Sequence, residues 1–256
     1  MPAANKTQRK YALRRQDYDK RDHLYSDSYQ VPVRLPLKVD LRNVAPPVWD
    51  QLTVGTCHAE MTAAALCVAR KQEGLPFIDP SVMFLAYTTR ASEGHANEDS
   101  GGTIRGTFKA AAASGVCSIA TWPYIVARLC VRPTPKAYAE ARLHEAIQYQ
   151  FLSQNAAELR SALANGHVWG FGITVYESFE SAQVARTGVV PMPKPTEAAL
   201  GGHAMLCVGY DDLMARFLVR NSWGDSWGIG GHCYMPYAYL LNSNLSFDFG
   251  TIQRAT

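Results

Sequence analysis

Between Thr56 and Lys71 the apolar residues Cys57, Met61, Ala64, Ala65 and Val68 recur at the spacing of one helix face. Glu60 in the first turn and Arg70 and Lys71 in the last suit the helix macrodipole, and Gly74 stops the run. The same reasoning predicts helices over Pro80–Thr89, over Gly102–Ser114 with Gly115 as the stop, over Ala137–Ala146 and over Ala156–Ala164. Past Gly166 the period changes. Val168–Val175, Ala204–Tyr210, Phe217–Arg220 and Gly231–Met235 are short, apolar or β-branched, and bounded by Gly, Pro or Asp, which predicts strands. Helices first and strands later predict an α+β fold in two lobes, mainly helical over about 50–150 and mainly β over about 151–256.

Residues 1–37 lack this periodicity and read as a basic N-terminal extension to a domain over 38–256. Lys6, Arg9, Lys10, Arg14, Arg15, Lys20 and Arg21 lie among polar residues there. Two readings stand: a mobile tail, or a segment lying over a cleft. The large side chains Tyr11, Leu13, Tyr18, Leu24, Tyr25 and Tyr29 speak for the second.

At 256 residues and 47% hydrophobic, the chain can bury a substantial core. A net charge of +3, with no basic stripe carrying interleaved aromatics, does not argue for nucleic acid. No apolar run reaches membrane-spanning length, and Met1–Leu35 lacks the apolar stretch of a secretory leader. A cytoplasmic monomer is the default expectation, with non-classical export equally compatible. The six cysteines show no CxxC pair and no zinc spacing, so neither metal nor cofactor is expected. Cys67 and Cys207 lie in apolar runs and read as core thiols, while a Cys117–Cys130 bridge stays open.

Chemistry concentrates in three segments. Cys57 sits where a helix should begin, and unpaired N–H groups with the macrodipole favour a thiolate there. His203 and Asn221 bracket a predicted hairpin whose paired index sum should lie near 425, placing them side by side at its open end. The Asn221 oxygen could then fix the tautomer of His203 and aim its other nitrogen at Cys57, as the third member of a triad does. The Gln51 amide and the Cys57 backbone N–H are candidate donors to an oxyanion. Trp223 and Trp227 could shield the His203–Asn221 bond from water.

Val39-Asp-Leu-Arg42, Gln51 with Cys57, Asp99-Ser-Gly-Gly102, Trp122-Pro-Tyr124, Gly202-His-Ala204, Val208-Gly-Tyr210 and Asn221-Ser-Trp-Gly224 followed by Trp227-Gly228 resemble papain-like cysteine peptidases, in sequence and in order, over about residues 39–240. Gly115-Val-Cys117 through Tyr124, with no long pro-region, is similar to the bacterial branch. The resemblance implies a helical left lobe, an antiparallel β-barrel-like right lobe and a cleft between them. It implies Cys57 as nucleophile, His203 as base and acid, Asn221 as orienter and Gln51 in the oxyanion hole. Gly101 and Gly102 would pair with the substrate backbone as an added strand. Ala204 would line the pocket for the second residue before the scissile bond, and Trp223 the leaving side. Two departures stand out: Val54 replaces the usual disulfide cysteine, and His58 the usual Trp after the nucleophile. Adjacent helix residues do not face each other, so His58 is not the expected base for Cys57. The function so implied is a thiol endopeptidase acting on polypeptides through an acyl-enzyme. An acyl-transferring enzyme or a non-catalytic binding protein on the same fold are the alternatives.

Overall fold

In a computed structural model that describes residues 9–32 and 34–256, the helix expected at Cys57 runs Cys57–Gln72 (α1). It is not one-faced: every residue from Cys57 to Arg70 is buried. Four alanines, Ala63, Ala64, Ala65 and Ala69, keep it slim enough to be packed all round. Helices α2 (Val82–Ser92) and α3 (Ile104–Ser114) pack beside it, each started by a side-chain cap, Ser81 Oγ to Phe84 N and Thr103 Oγ1 to Gly106 N. Gly115, at φ +69°, stops α3 in a conformation that favours glycine.

Helix α4 (Pro135–Ala141) ends earlier than the predicted Ala137–Ala146. Its continuation, β2 (Ala146–Phe151), is a strand. Local alanines favour helix, but the Ile147–Phe151 run has a partner strand waiting in the C-terminal segment, and tertiary pairing wins. Helix α5 (Ala156–Ala164) falls where expected, capped by Asn155. Helices α6 (Ala182–Thr187) and α7 (Tyr237–Leu240) are short and carry too little periodicity to have been read.

The strands are β1 (Lys38–Asp40), β2, β3 (Trp169–Tyr176), β4 (Ala199–Asp211), β5 (Arg216–Arg220), β6 (His232–Pro236) and β7 (Ser246–Ala255). They form one antiparallel sheet in the order β2-β7-β3-β4-β5-β6, with β1 on the far end of β4. The sheet does not close, so the barrel-like expectation gives way to an open sheet. One apolar cluster fills the space between the sheet and α1–α3, through Leu66, Phe108, Val208 and Ile252. A second lies around Trp169, Phe171, Phe217 and Phe249. The site forms where the first residue of α1 meets β4.

The N-terminal residues are docked along this body. Leu13 and Tyr25 are buried, and Tyr25 stacks on Tyr29 at 4.5 Å and takes a hydrogen bond from Asn165 Nδ2 at 3.1 Å. Tyr18, in contrast, is fully in solvent. Residues 1–8 of the extension, Lys6 included, lie outside the described residues. Among the described residues no helix is long and apolar enough to cross a membrane.

Phe108 is fully buried on α3, its ring 5.6 Å from Tyr149 and 6.2 Å from Phe151 on β2, so it ties helices to sheet. Phe108→Ala is expected to cost about 3–5 kcal/mol in chemical denaturation. A loss below about 1 kcal/mol would contradict this assignment of the core.

Candidate active site

Thr56 precedes α1 but gives no side-chain cap; its hydroxyl pairs with Tyr124 OH at 2.9 Å instead. The Ala59 and Glu60 amides bond the Thr56 carbonyl, while the Cys57 and His58 amides favour negative charge on the Cys57 sulfur. The Cys57 sulfur accepts a hydrogen bond from Ala204 N at 3.4 Å, which joins the helix tip to β4 directly.

His203 lies inside β4, and Asn221 directly follows β5. The β4–β5 ladder pairs Leu206 with Arg220 and Cys207 with Val219, an index sum of 426, and shifts to 427 beyond an irregularity before Gly209. The expected sum near 425 was off by a residue or two, yet the juxtaposition holds. His203 Nε2 and Asn221 Oδ1 are 2.8 Å apart. The other ring nitrogen, Nδ1, has no hydrogen-bond partner among the described residues. Trp223 stacks on His203 at 5.2 Å and Trp227 packs edge-on against Trp223 at 5.1 Å, the arrangement expected of a water shield. His58 is buried with its ring against Gly102, with no hydrogen bond to either nitrogen among the described residues.

Gln51 is fully buried. Its Nε2 donates to Val54 O at 3.0 Å, and its Oε1 accepts from Ser222 Oγ at 2.7 Å. Tyr124 OH donates to Gln51 O at 2.9 Å. One Nε2 hydrogen remains for an oxyanion. Sequence reasoning had no role for Ser222 or for the Tyr124 hydroxyl, although both stood in quoted motifs.

The N-terminal segment runs in extended form past Gly101 and Gly202, with one bridge from Ala12 to Gly202. Leu13 N donates to Gly202 O at 3.1 Å and Arg14 N to Gly102 O at 3.0 Å. A Cβ on Gly101 would run into Ala12 O, and one on Gly202 into Leu13 O, so both glycines admit a backbone at close range. Lys10 pairs with Asp99 at 3.1 Å, Arg14 with Glu93, and Tyr11 OH bonds Glu180. Tyr11 lies edge-on to His203 at 6.0 Å, and the Arg9 guanidinium covers Trp223 at 4.3 Å. Gly101, Gly102, Ala204 and Trp223 are thus gathered at one cleft. Gly202, not singled out from the sequence, carries one of its two strand-pairing carbonyls.

Burial pushes the Cys57 thiol up to about 12, against the Ala204 and His58 amides, which pull it down. Burial also pushes His203 down to about 4, opposed by Asn221 and reinforced by Arg9. Desolvation thus works against the thiolate–imidazolium pair expected from the sequence, while the helix-tip amides and Asn221 favour it. All six cysteines are unpaired, so the Cys117–Cys130 bridge is not formed: Cys117 is buried and Cys130 exposed. Among the described residues no group of three His, Cys, Asp or Glu side chains could hold a metal.

The family model for papain family cysteine proteases matches residues 35–244. The fold superposes on the crystal structure of xylellain, a cysteine protease from Xylella fastidiosa, with a TM-score of 0.90 and 34% identity, covering 98% of this chain and 99% of that one. The uncharacterized peptidase C1-like protein L477 of Acanthamoeba polyphaga mimivirus is 37% identical over 216 residues, 81% of this chain and 70% of its own length. Cysteine proteinase 1 of Entamoeba histolytica is 26% identical over 79% of this chain, which spans 64% of that protein.

The buried titratable groups set a pH optimum for stability. His58, His203 and His232 are pushed by burial to about 3, 4 and 4, so the folded chain binds fewer protons than the unfolded one below about pH 6.5. Their contribution is present above pH 6.5 and is lost as pH falls towards 4. Burial raises Glu60 to about 8 and Asp248 to about 6, and these oppose the histidines, fading as pH rises towards those values. Three histidines outweigh two acids on the acid side; above pH 6.5 Glu60 dominates. Thermal melts from pH 4.5 to 9 should peak near neutrality. A midpoint that climbs steadily towards acid pH would contradict this balance.

Proposed function

The chain belongs to the papain family of cysteine proteases, and from that premise we propose how its residues cleave a polypeptide and how its own N-terminus restrains them. It is a cysteine endopeptidase. In the uncovered site the Cys57 proton passes to His203 Nδ1, leaving a thiolate at the tip of α1 and an imidazolium held by Asn221. The sulfur attacks the scissile carbonyl, whose oxygen is received by the Cys57 N–H and the spare Nε2 hydrogen of Gln51. His203 returns the proton to the leaving amine as the C–N bond breaks. Water, deprotonated by His203, then hydrolyses the thioester and regenerates the thiol. The observation that carries this assignment is the 2.8 Å bond from His203 Nε2 to Asn221 Oδ1, with Nδ1 left unpartnered among the described residues and the next residue, Ala204, donating its N–H to the Cys57 sulfur at 3.4 Å.

Residues 9–16 act as an internal cover. Two features support this reading. Leu13 and Arg14 take the carbonyls of Gly202 and Gly102, edge positions that a substrate strand would pair with. The same segment also desolvates the reactive pair and sets the Arg9 cation near His203, which disfavours the imidazolium. The cover blocks access and holds the chemistry in its neutral, inactive protonation state.

Cys57→Ala is expected to abolish turnover without loss of fold, and His203→Ala to cost more in kcat than Asn221→Ala, by peptide hydrolysis. Full activity in Cys57→Ala would remove the nucleophile assignment. A chain beginning at Asp17, which keeps the buried Tyr25, should show kcat/KM raised by about tenfold or more (about 1.4 kcal/mol or more) and faster thiol alkylation. Equal rates with and without residues 1–16 would rule out the cover.

A further inference from the structure

Glu60 lies one turn beyond Cys57 on α1, is 3% exposed, and neither carboxyl oxygen has a hydrogen-bond partner among the described residues. A buried carboxyl without a partner costs free energy, so its place needs a reason. Asn221 is in a matching condition. Its Oδ1 takes His203 Nε2 at 2.8 Å and Ser222 N at 2.9 Å, while its Nδ2 is buried and unpartnered. Both residues line one small cavity of about 10 Å³, with Trp49, Ala204 and Arg220. That volume is about one water, and the walls supply the polar partners a buried water needs.

Arg220 is the nearest candidate for an ion pair, but its guanidinium is committed elsewhere. It donates to Pro46 O at 2.6 Å and Pro47 O at 2.5 Å and lies over Trp49 at 5.0 Å. Asp50 and Asp79, the other charges felt by Glu60, oppose its ionisation. The carboxyl is therefore left to the amide. An Asn side chain presents nearly the same shape when flipped, and a flip here would aim NH₂ at His203 and lose the tautomer that frees Nδ1 for Cys57.

We propose that Glu60 is a positioning residue for Asn221: its carboxyl receives the Nδ2–H of the amide through one bridging water in the shared cavity and so keeps Oδ1 turned to His203. The inference rests on the triad assigned under Proposed function. Burial pushes the Glu60 carboxyl up to about 8, which suits the role, because a charge there would work against a thiolate at Cys57. The neutral acid still accepts through its carbonyl oxygen.

The test is a double-mutant cycle in the full chain, read by kcat and KM for peptide hydrolysis, with thermal melts to check folding. Glu60→Leu should lower kcat about five- to tenfold with KM within about twofold, and Glu60→Gln, which can still accept, should stay within about twofold of the parent. In an Asn221→Ala background Glu60→Leu should change kcat by less than about twofold, because the amide it positions is gone. Glu60→Met replaces Glu60→Leu in the cycle if the latter does not fold. A full Glu60→Leu loss that persists in the Asn221→Ala background, or an unimpaired Glu60→Leu beside an impaired Asn221→Ala, overturns the proposal. An Asn221→Ala chain as active as the parent would fail differently, by removing the triad role on which the proposal depends.

Discussion

The hydrogen bond from Ala204 N–H to the Cys57 sulfur is the point at which the two halves of the molecule become one site. A nucleophile on a helix and a base on a strand share no local geometry, so only packing can set their separation. Here the packing is severe. Helix α1 is buried on all sides, with alanines where larger residues would push the sheet away, and β4 is paired along its length with β3, β5 and β1. Met61, next to the turn that carries Cys57, would collide with any side chain at Gly170 on β3. A shift of the helix tip by one atom's width would have to move the sheet with it, since close-packed interiors transmit strain and do not absorb it.

The same burial creates a conflict with the chemistry. A thiolate and an imidazolium need water, dipoles or each other, whereas a covered cleft offers none of the first. Here burial pushes the Cys57 thiol up and the His203 imidazole down, against the pull of the helix N-terminus and Asn221. The helix dipole contributes on the order of 1 kcal/mol and cannot offset the loss of water around a fully buried charge. On the proposal that residues 9–16 are a cover, its removal returns water to both groups, so the segment would act on protonation as well as on access.

Much of this was legible in the chain. The neighbourhood of Cys57, His203 and Asn221 was, because each sits in a short segment with its own signal: a helix start at Cys57, a strand with flanking glycines at His203, a second strand ending at Asn221. The α5 boundaries fell where the sequence put them, and the structure adds the Asn155 cap. What was not legible depended on distant partners. Strand β2 went unread, and the helix predicted over Ala137 to Ala146 ran on to its first residue; only pairing with β7 makes 146–151 a strand. Strand β7 itself went unread. The open sheet could not be told from a barrel without knowing that β2 and β6 end up as its two edges. The extension divided along the same line. Leu13 and Tyr25 are buried because the body supplies them pockets, while Tyr18, equally apolar on paper, is left in solvent.

The missing cysteine at Val54 changes how the oxyanion loop is held. A disulfide there would fix the Gln51–Cys57 loop covalently. In its place Val54 is buried in a cluster with Met83 and Trp122, and its carbonyl takes Gln51 Nε2. Gln51 is then held from three sides: by Val54, by Ser222 Oγ beside Asn221, and by Tyr124 OH at its backbone carbonyl. Gly55 N on Asp99 fixes the far end of the loop, and Asp99 also receives Lys10 of the cover. The Gln51–Cys57 loop is thus bonded to Ser222 beside Asn221 on one side and, through Asp99, to Lys10 of the N-terminal segment on the other. Hydrogen bonds of this kind contribute about 1 kcal/mol each, so several together approach what a short-loop disulfide provides, and unlike a disulfide they persist under reducing conditions.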